Sequence, residues 1–360
     1  MKHILSLVFF LLSLNLFAQK EVSHQVYLIG DAGNFDKEPG KILFELKEMQ
    51  LANPNSTTIY LGDNIYFEGL EPEGHKLREE TERKILNQLE RLDNYEGQTY
   101  FLPGNHDWRA GKFKGYDYII RQAEYVNAYV KKNTSVKNRN DIVFVPEGGY
   151  PGPYTTKISE GIRLIAFDTN WWLHAQLFHY FPKHGSRKNT IDIFLNDLDS
   201  LLNVAKINNE KVIMAGHHPF YTYGSHGQKR QPWRFFNNYS PFQLLGLFGA
   251  NRFFLQDIHQ PKYKKMIKQI TGVMSNYEEL IYTCGHDHNL QYFKKGSHRH
   301  ILSGAGSKRS SLKKDPIDTH YAKDGKLGYF ILTFYEDNSL DIEVKLEGEA
   351  PEKIETYLYK

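Results

Sequence analysis

The sequence holds a single cysteine, Cys284, in 360 residues, so no disulfide closes within the chain. Stability must therefore come from core packing or bound metal. The formal charge is only +3, with no basic stripe, which argues against a nucleic-acid partner. No apolar run after the opening residues is long enough to cross a membrane. There is no repeat of solenoid type and no low-complexity linker. What is present is ordinary for a globular protein: 40% hydrophobic residues and a rich 14% aromatic share, enough for a sizeable core. The length suits one large domain or two small ones.

The opening residues have the pattern of an export signal. Met1-Lys2-His3 is a short basic start, residues 4–17 are apolar apart from Ser and Asn, and Ala18 precedes an abrupt polar stretch at Lys20-Glu21. A core of this length is short for a membrane span and suits a cleaved signal peptide over 1–18. The expected location is secreted or periplasmic, with no stable membrane span after signal removal. No cysteine follows the run, so lipid attachment there is excluded.

One pattern recurs downstream. A short apolar run ends in Gly and is followed at once by a residue able to bind metal. Residues 26–30 lead to Asp31, 58–62 to Asp63-Asn64, 100–104 to Asn105-His106-Asp107, 212–216 to His217-His218, and 281–285 to His286-Asp287-His288. Such runs predict buried strands, and Gly allows the sharp turn out of a sheet. Apolar residues at helical spacing predict helices over 41–49, 79–92, 117–130 and 190–205. Strands alternating with helices predict an α/β layered fold. In such folds functional groups collect beyond the carboxyl ends of strands, so the five runs point at one place.

Two regions read as insertions: about 171–188, with Trp171, Trp172, His174, His179 and His184, and about 228–260, which is aromatic and Phe-rich. Each is a packed surface excursion or a rim over the site. Alternating runs over 329–335 and 339–344 predict a terminal hairpin. The expected division is a leader, a catalytic domain over 22–345 and a tail over 346–360.

The donor types are those of a dinuclear metal site. Carboxylate and phenolate oxygens suit hard ions, and imidazole suits divalent transition metals. Two ions about 3.5–4 Å apart supply both a nucleophile and charge against a phosphoryl group. Any one of the five segments alone is weak, since Gly-Asp after a strand is commonly a turn. Five in the same strand-to-loop context are not.

Gly30-Asp31-Ala32-Gly33, Gly62-Asp63-Asn64-Ile65-Tyr66, Gly104-Asn105-His106-Asp107, Gly216-His217-His218-Pro219 and Gly285-His286-Asp287-His288 together resemble the five blocks of the calcineurin-like metallophosphoesterases. Within them the chain is most similar to the purple acid phosphatases of the tartrate-resistant type. The resemblance runs from about Val26 to the Ser303-Gly304-Ala305-Gly306 loop. It implies two β-sheets packed face to face and flanked by helices. Most of the superfamily has a metal-binding His where this sequence has Gly33. Purple acid phosphatases replace that ligand with Tyr, and Tyr66 stands at the corresponding place.

The resemblance also implies a ligand set. Asp31, Asp63, Tyr66 and His288 hold one ion, and Asp63, Asn105, His217 and His286 the other, with Asp63 bridging. The anionic first set suits Fe(III), whose phenolate bond gives the family its violet colour. The second set suits Fe(II), Zn(II) or Mn(II). A metal-held hydroxide is the implied nucleophile, since metals lower the pKa of water to near 7 or below. His106 resembles the residue that contacts phosphate and protonates the leaving oxygen, and His226, in Gly224-Ser225-His226-Gly227, a second substrate-side His. Asp107 either orients His106 or stabilises a turn. His218 is expected to be structural or exposed, and Cys284 a small buried hydrophobe.

The function implied is acid hydrolysis of phosphate monoesters, small molecules or phosphoproteins. The other readings are a phosphodiesterase or nucleotide hydrolase of the same fold, and a secreted non-enzymatic binding protein. The complete ligand set counts against the last.

Overall fold

A computed structural model describes residues 20–137, 142–174, 186–227, 256–313 and 318–359. The leader, positions 175–185 of the first insertion and 228–255 of the second lie outside the described residues.

β1 (Val22–Ile29) shows how the sequence builds the molecule. Its side chains alternate: Val26 and Leu28 point into one core, Tyr27 and Ile29 into another, and all four are fully buried. A strand covered on both faces reads as a continuous apolar run. β1 pairs in parallel with β2 (Ser56–Tyr60) and antiparallel with β11 (Gly328–Tyr335). With β3 (Gln98–Phe101), β12 (Ser339–Leu346) and β13 (Glu352–Leu358) they form a sheet of order β13-β12-β11-β1-β2-β3.

The second sheet has the order β10-β8-β9-β7-β6-β5-β4. Its strands are β4 (Tyr154–Ser159), β5 (Ile162–Ala166), β6 (Lys211–Ala215), β7 (Ile281–Cys284), β8 (Leu290–Lys295), β9 (His298–Ser303) and β10 (Tyr321–Lys323). The seam between the sheets is apolar, joining Val26, Leu28, Ile59, Leu332 and Ile342 to Leu164, Ile213, Ile281 and Ile301. Truncating one of these to Ala would cost about 2–5 kcal/mol.

Helices α1 (Lys41–Ala52), α2 (Arg78–Leu89), α3 (Gly115–Lys132), α4 (Arg187–Ile207) and α5 (Pro261–Met274) pack on the outer faces. They contribute Leu46, Ile85, Val126, Leu198 and Ile270 to a second core containing the alternate strand residues Tyr27, Tyr60, Met214 and Tyr282. α4 starts where the Ser186 side chain accepts from Asn189 N at 3.2 Å, an N-cap.

The four expected helices and five expected strands form with bounds shifted by a few residues. The run expected as one helix over 79–92 ends instead in a 3-10 turn, Glu90–Leu92. The expected hairpin forms as β11 and β12, but it is not terminal. The segment expected as a tail adds β13 antiparallel to β12. As a largely exposed edge strand it buries little, so its apolar signal is weak. α5 begins immediately after the region read as the second insertion, at Pro261. Its buried Tyr263, Met266, Ile270 and Met274 follow helical spacing, with Pro261 at the start. Residues 171–174 of the first insertion are core, because Trp171, Trp172 and His174 are buried.

Candidate metal centre

Five loops leave β1, β2, β3, β6 and β7 at the same rim, the carboxyl ends of parallel strands. The first three, on one sheet, carry Asp31, Asp63 with Tyr66, and Asn105. The other two, on the facing sheet, carry His217 and the pair His286 and His288. Asp31, Asp63 and His286 turn out of their strands with φ of +58°, +54° and +75°. Such left-handed backbone costs L-residues about 1–3 kcal/mol each and concentrates at functional sites.

Gly33 is fixed by close approach. A Cβ there would lie 2.2 Å from the Asn64 carbonyl, so no side chain fits where a first-block ligand would stand. Tyr66 N instead donates to Gly33 O at 3.1 Å, which carries the phenol into that place. α2 holds this loop from behind. Buried Lys84 donates to Tyr66 O at 2.9 Å, and Gln88 Nε2 to Asn64 O at 2.7 Å.

Around Tyr66 the acceptors outnumber the protons. Its Oη donates to Asp31 Oδ1 at 2.7 Å, and lies 3.1 Å from Asp63 Oδ2 and 3.0 Å from His288 Nε2. Both carboxylates are buried. Burial, then the Asp31 and Asp63 charges, raise the phenol well above its usual pKa. Burial pushes Asp31 up to about 7. Desolvation leads in both groups, and the neighbouring carboxylates add to it.

A second cluster adjoins the first. Asn105 Oδ1 is 2.9 Å from His286 Nδ1 and 3.1 Å from His217 Nε2, and the two nitrogens are 3.3 Å apart. The opposite ring nitrogens are committed: His217 Nδ1–H donates to Leu61 O at 2.8 Å and His286 Nε2–H to Gln256 O at 3.1 Å. The tautomers follow from these carbonyl acceptors. Three lone-pair atoms thus converge, with Asp63 Oδ1 a further 3.4 Å from His217 Nε2. Burial alone would depress His217, but Asp63 outweighs it and lifts the ring to about 9. Candidate ligand atoms of Asp31, Asp63 and His217 all lie within 4.8 Å of one another. The donor set therefore fits a pair of metal ions, oxygen-rich on one side and imidazole-rich on the other.

His106 and His226 flank the clusters. His106 Nδ1–H donates to Phe67 O at 2.7 Å, which turns Nε2 to within 3.9 Å of Asp63 Oδ2. Burial depresses its pKa against the opposing pull of Asp63. His226 stacks near His286, with ring centroids 4.1 Å apart, and its Nδ1 pairs with Asp257 Oδ1 at 3.0 Å.

Asp107 does not orient His106. Its carboxylate accepts from Gly104 N at 2.7 Å, Asn64 N and Ile65 N at 3.1 Å, and Gln122 Nε2 at 2.9 Å. It clamps the second and third loops together, which is the turn-stabilising alternative. His218 is structural but not exposed: it is wholly buried between Thr169 Oγ1 at 2.7 Å and Gln256 Oε1 at 2.5 Å. Cys284 packs as a buried hydrophobe.

Sequence reasoning missed four supporting residues. Asp287 accepts from Thr222 Oγ1 at 2.5 Å, Ser225 Oγ at 3.0 Å and His226 N at 3.2 Å, fixing the His226 loop. Its place between two candidate ligands was the available signal. Asp168 accepts from Trp108 Nε1 at 2.7 Å, and burial raises it to about 7. Gln256 and Asp257 bring the end of the second insertion onto three histidines, and no pattern marked them.

The sequence profile of the calcineurin-like phosphoesterases matches residues 24–304. Tartrate-resistant acid phosphatase type 5 of Oryctolagus cuniculus is 23% identical over 308 residues, covering 83% of this chain and 74% of that protein. The Homo sapiens protein of the same name is 24% identical, covering 75% and 69%. Among solved structures, a dimetal phosphatase from Danio rerio superposes with a TM-score of 0.53 at 14% identity, covering 93% of this chain and 99% of that one. GAP50, the anchor in the inner membrane complex of Plasmodium, gives 0.53 at 16% identity, covering 94% and 89%.

Proposed function

Because the chain belongs to the calcineurin-like phosphoesterase family, we propose that it is a purple-acid-phosphatase-like enzyme hydrolysing phosphate monoesters at mildly acidic pH. The observation that carries this reading is Tyr66 Oη, set against Asp31, Asp63 and His288 in the place Gly33 leaves open. The similarity to tartrate-resistant acid phosphatases supports it.

Asp31, Asp63, Tyr66 and His288 would hold the first ion, Fe(III). Asp63, Asn105, His217 and His286 would hold the second, Fe(II), Zn(II) or Mn(II), with Asp63 shared. When bound, the two ions lower the pKa of water and neutralise phosphoryl charge. His106 binds the phosphoryl group and gives a proton from Nε2 to the departing alcohol oxygen, its ring aimed by the Phe67 carbonyl. His226, braced by Asp257, contacts the substrate from the facing sheet. The Asp107 clamp keeps the loops of Asp63 and His106 in register.

The leader over 1–18 supports export to the periplasm or beyond. Among the described residues no helix is long and apolar enough to cross a membrane. The substrates in this reading are small phosphate esters or phosphoproteins.

The test pairs two measurements on protein purified without chelator. Hydrolysis of p-nitrophenyl phosphate and its bis ester is followed from pH 4 to 8, alongside metal content and the visible spectrum. The monoester should be preferred, with an acidic optimum and a violet colour. A preference for the diester, or colourless iron-free protein, would move the chain to another branch of the family.

A further inference from the structure

Lys308 occupies a position that the proposed chemistry does not yet use. Its Nζ lies 4.2 Å from the Tyr66 ring centroid and 5.4 Å from that of Phe67. The loop that carries it is pinned on both sides. Gly306 N donates to Gly30 O at 3.0 Å, Ser307 Oγ bonds Asp31 O, and Ser307 Oγ accepts from Asn34 N at 3.0 Å. Ser310 N donates to His288 O at 2.7 Å. Lys308 is thus held between the strand-end loops bearing Asp31 and His288, half-buried over the phenol.

Among the described residues Lys308 forms no ion pair and no hydrogen bond. Buried Lys84, by contrast, meets Asp36 at 3.0 Å and Tyr66 O at 2.9 Å. An ammonium has three N–H donors, and an aromatic face satisfies only one side of it. The Tyr66 ring under it lies 4.4 Å from that of His106 and 6.0 Å from that of His288, so the cation shares this ring with both histidines.

We propose that Lys308 binds a terminal oxygen of the substrate's phosphoryl group and favours dianionic monoesters over monoanionic diesters. The inference rests on the phosphatase reading above and supplies a source for its selectivity. A monoester dianion carries twice the charge of a diester and one more terminal oxygen. A fixed cation in a partly desolvated site attracts it correspondingly more.

The experiment uses metal-loaded wild type with Lys308→Gln, Lys308→Arg and Arg309→Gln, the last an exposed neighbour on the same loop. Inorganic phosphate affinity is measured by isothermal titration, independently of turnover. kcat and KM follow for p-nitrophenyl phosphate and its bis ester. Lys308→Gln should weaken phosphate binding about tenfold, the loss of one charge-assisted hydrogen bond. KM for the monoester should rise more than kcat falls, and the monoester-to-diester ratio of kcat/KM should drop about tenfold. Lys308→Arg should recover most of both, and Arg309→Gln should match wild type. Lys308→Met replaces the glutamine variant should that one lose metal. Phosphate affinity and ester ratio within twofold of wild type, at unchanged metal content, would overturn the proposal. If the wild type itself prefers the diester, the phosphatase reading fails, while the phosphate titration still decides the role of Lys308.

Discussion

The carbonyl of Gln256 accepts from His286 Nε2 at 3.1 Å, so the last residues of an aromatic insertion decide which nitrogen of a candidate ligand faces the site. The same residue's side chain meets His218 Nε2 at 2.5 Å, and the next residue, Asp257, holds His226 Nδ1 at 3.0 Å. Partners of this kind fix tautomer and ring direction, and their loss typically costs about 10–100-fold in metal affinity or activity.

Replacing Asp257 by Asn keeps the shape and removes the charge opposite His226. We expect kcat/KM for the monoester to fall about tenfold, with metal content unchanged and the loss mainly in KM. An unchanged KM would reduce Asp257 to a packing role.

Tyr66→Phe removes one oxygen and leaves the ring. Metal content should fall from two ions to one, the visible band should vanish, and activity should drop at least about 100-fold. Circular dichroism should stay native, since the ring remains buried among the same neighbours. A variant that retains both ions would remove Tyr66 from the ligand set.

Asp107→Ala strands the buried amides of Asn64, Ile65 and Gly104 and the Gln122 side chain. The expected cost is about 3–5 kcal/mol in chemical denaturation. Asp107→Asn should cost less, because an amide oxygen keeps part of the clamp. A change confined to the pH dependence of His106, with stability intact, would contradict the clamp.

Metal-free protein should lose stability as pH rises from 6.5 to 9. The loss in this window is carried by His217, which Asp63, against burial, lifts to about 9; Asp31 and Asp168, lifted by burial to about 7, release their protons between 3.8 and 7 and add only at its lower end. Each raised group holds a proton in the folded state after the unfolded chain has released it. Its contribution is full below the unfolded value, 3.8 for Asp or 6.5 for His, and is lost as pH climbs through the folded one. Burial depresses His286 and His288, whose effect falls below 6.5 and so outside this window. Thermal melts of chelated protein check the sign. Titrating metal at pH 7 in two buffers of different ionisation enthalpy should show proton release.

The centre was legible in the sequence because each candidate donor follows a short apolar run and a glycine, and both periods are local. Tyr66 was legible only through the family resemblance, since Gly33 stands where most members have a metal-binding His; the structure adds that the Gly33 backbone is packed against Asn64 at a distance only glycine allows. The supporting shell was not. Gln256 lies far along the chain from the histidines it orients, and nothing in its neighbours marks it. For Asp107 the sequence left two roles open, orienting His106 or stabilising a turn, and the choice depends on buried amides of another loop that adjacency in sequence does not show. β13 escaped because an exposed edge strand needs few apolar residues.

The ligand positions are divided between the sheets, and each proposed ion draws on both. Oxygen donors come from the sheet that contains β1, and imidazoles from the sheet that contains β7. Neither half-molecule holds a complete coordination sphere. In the proposed ligand set, metal capture would follow docking of the two sheets. Once acquired, the ions fasten the rim like a clasp, so chelation should loosen that edge of the sandwich first and expose its loops to protease before the opposite edge yields.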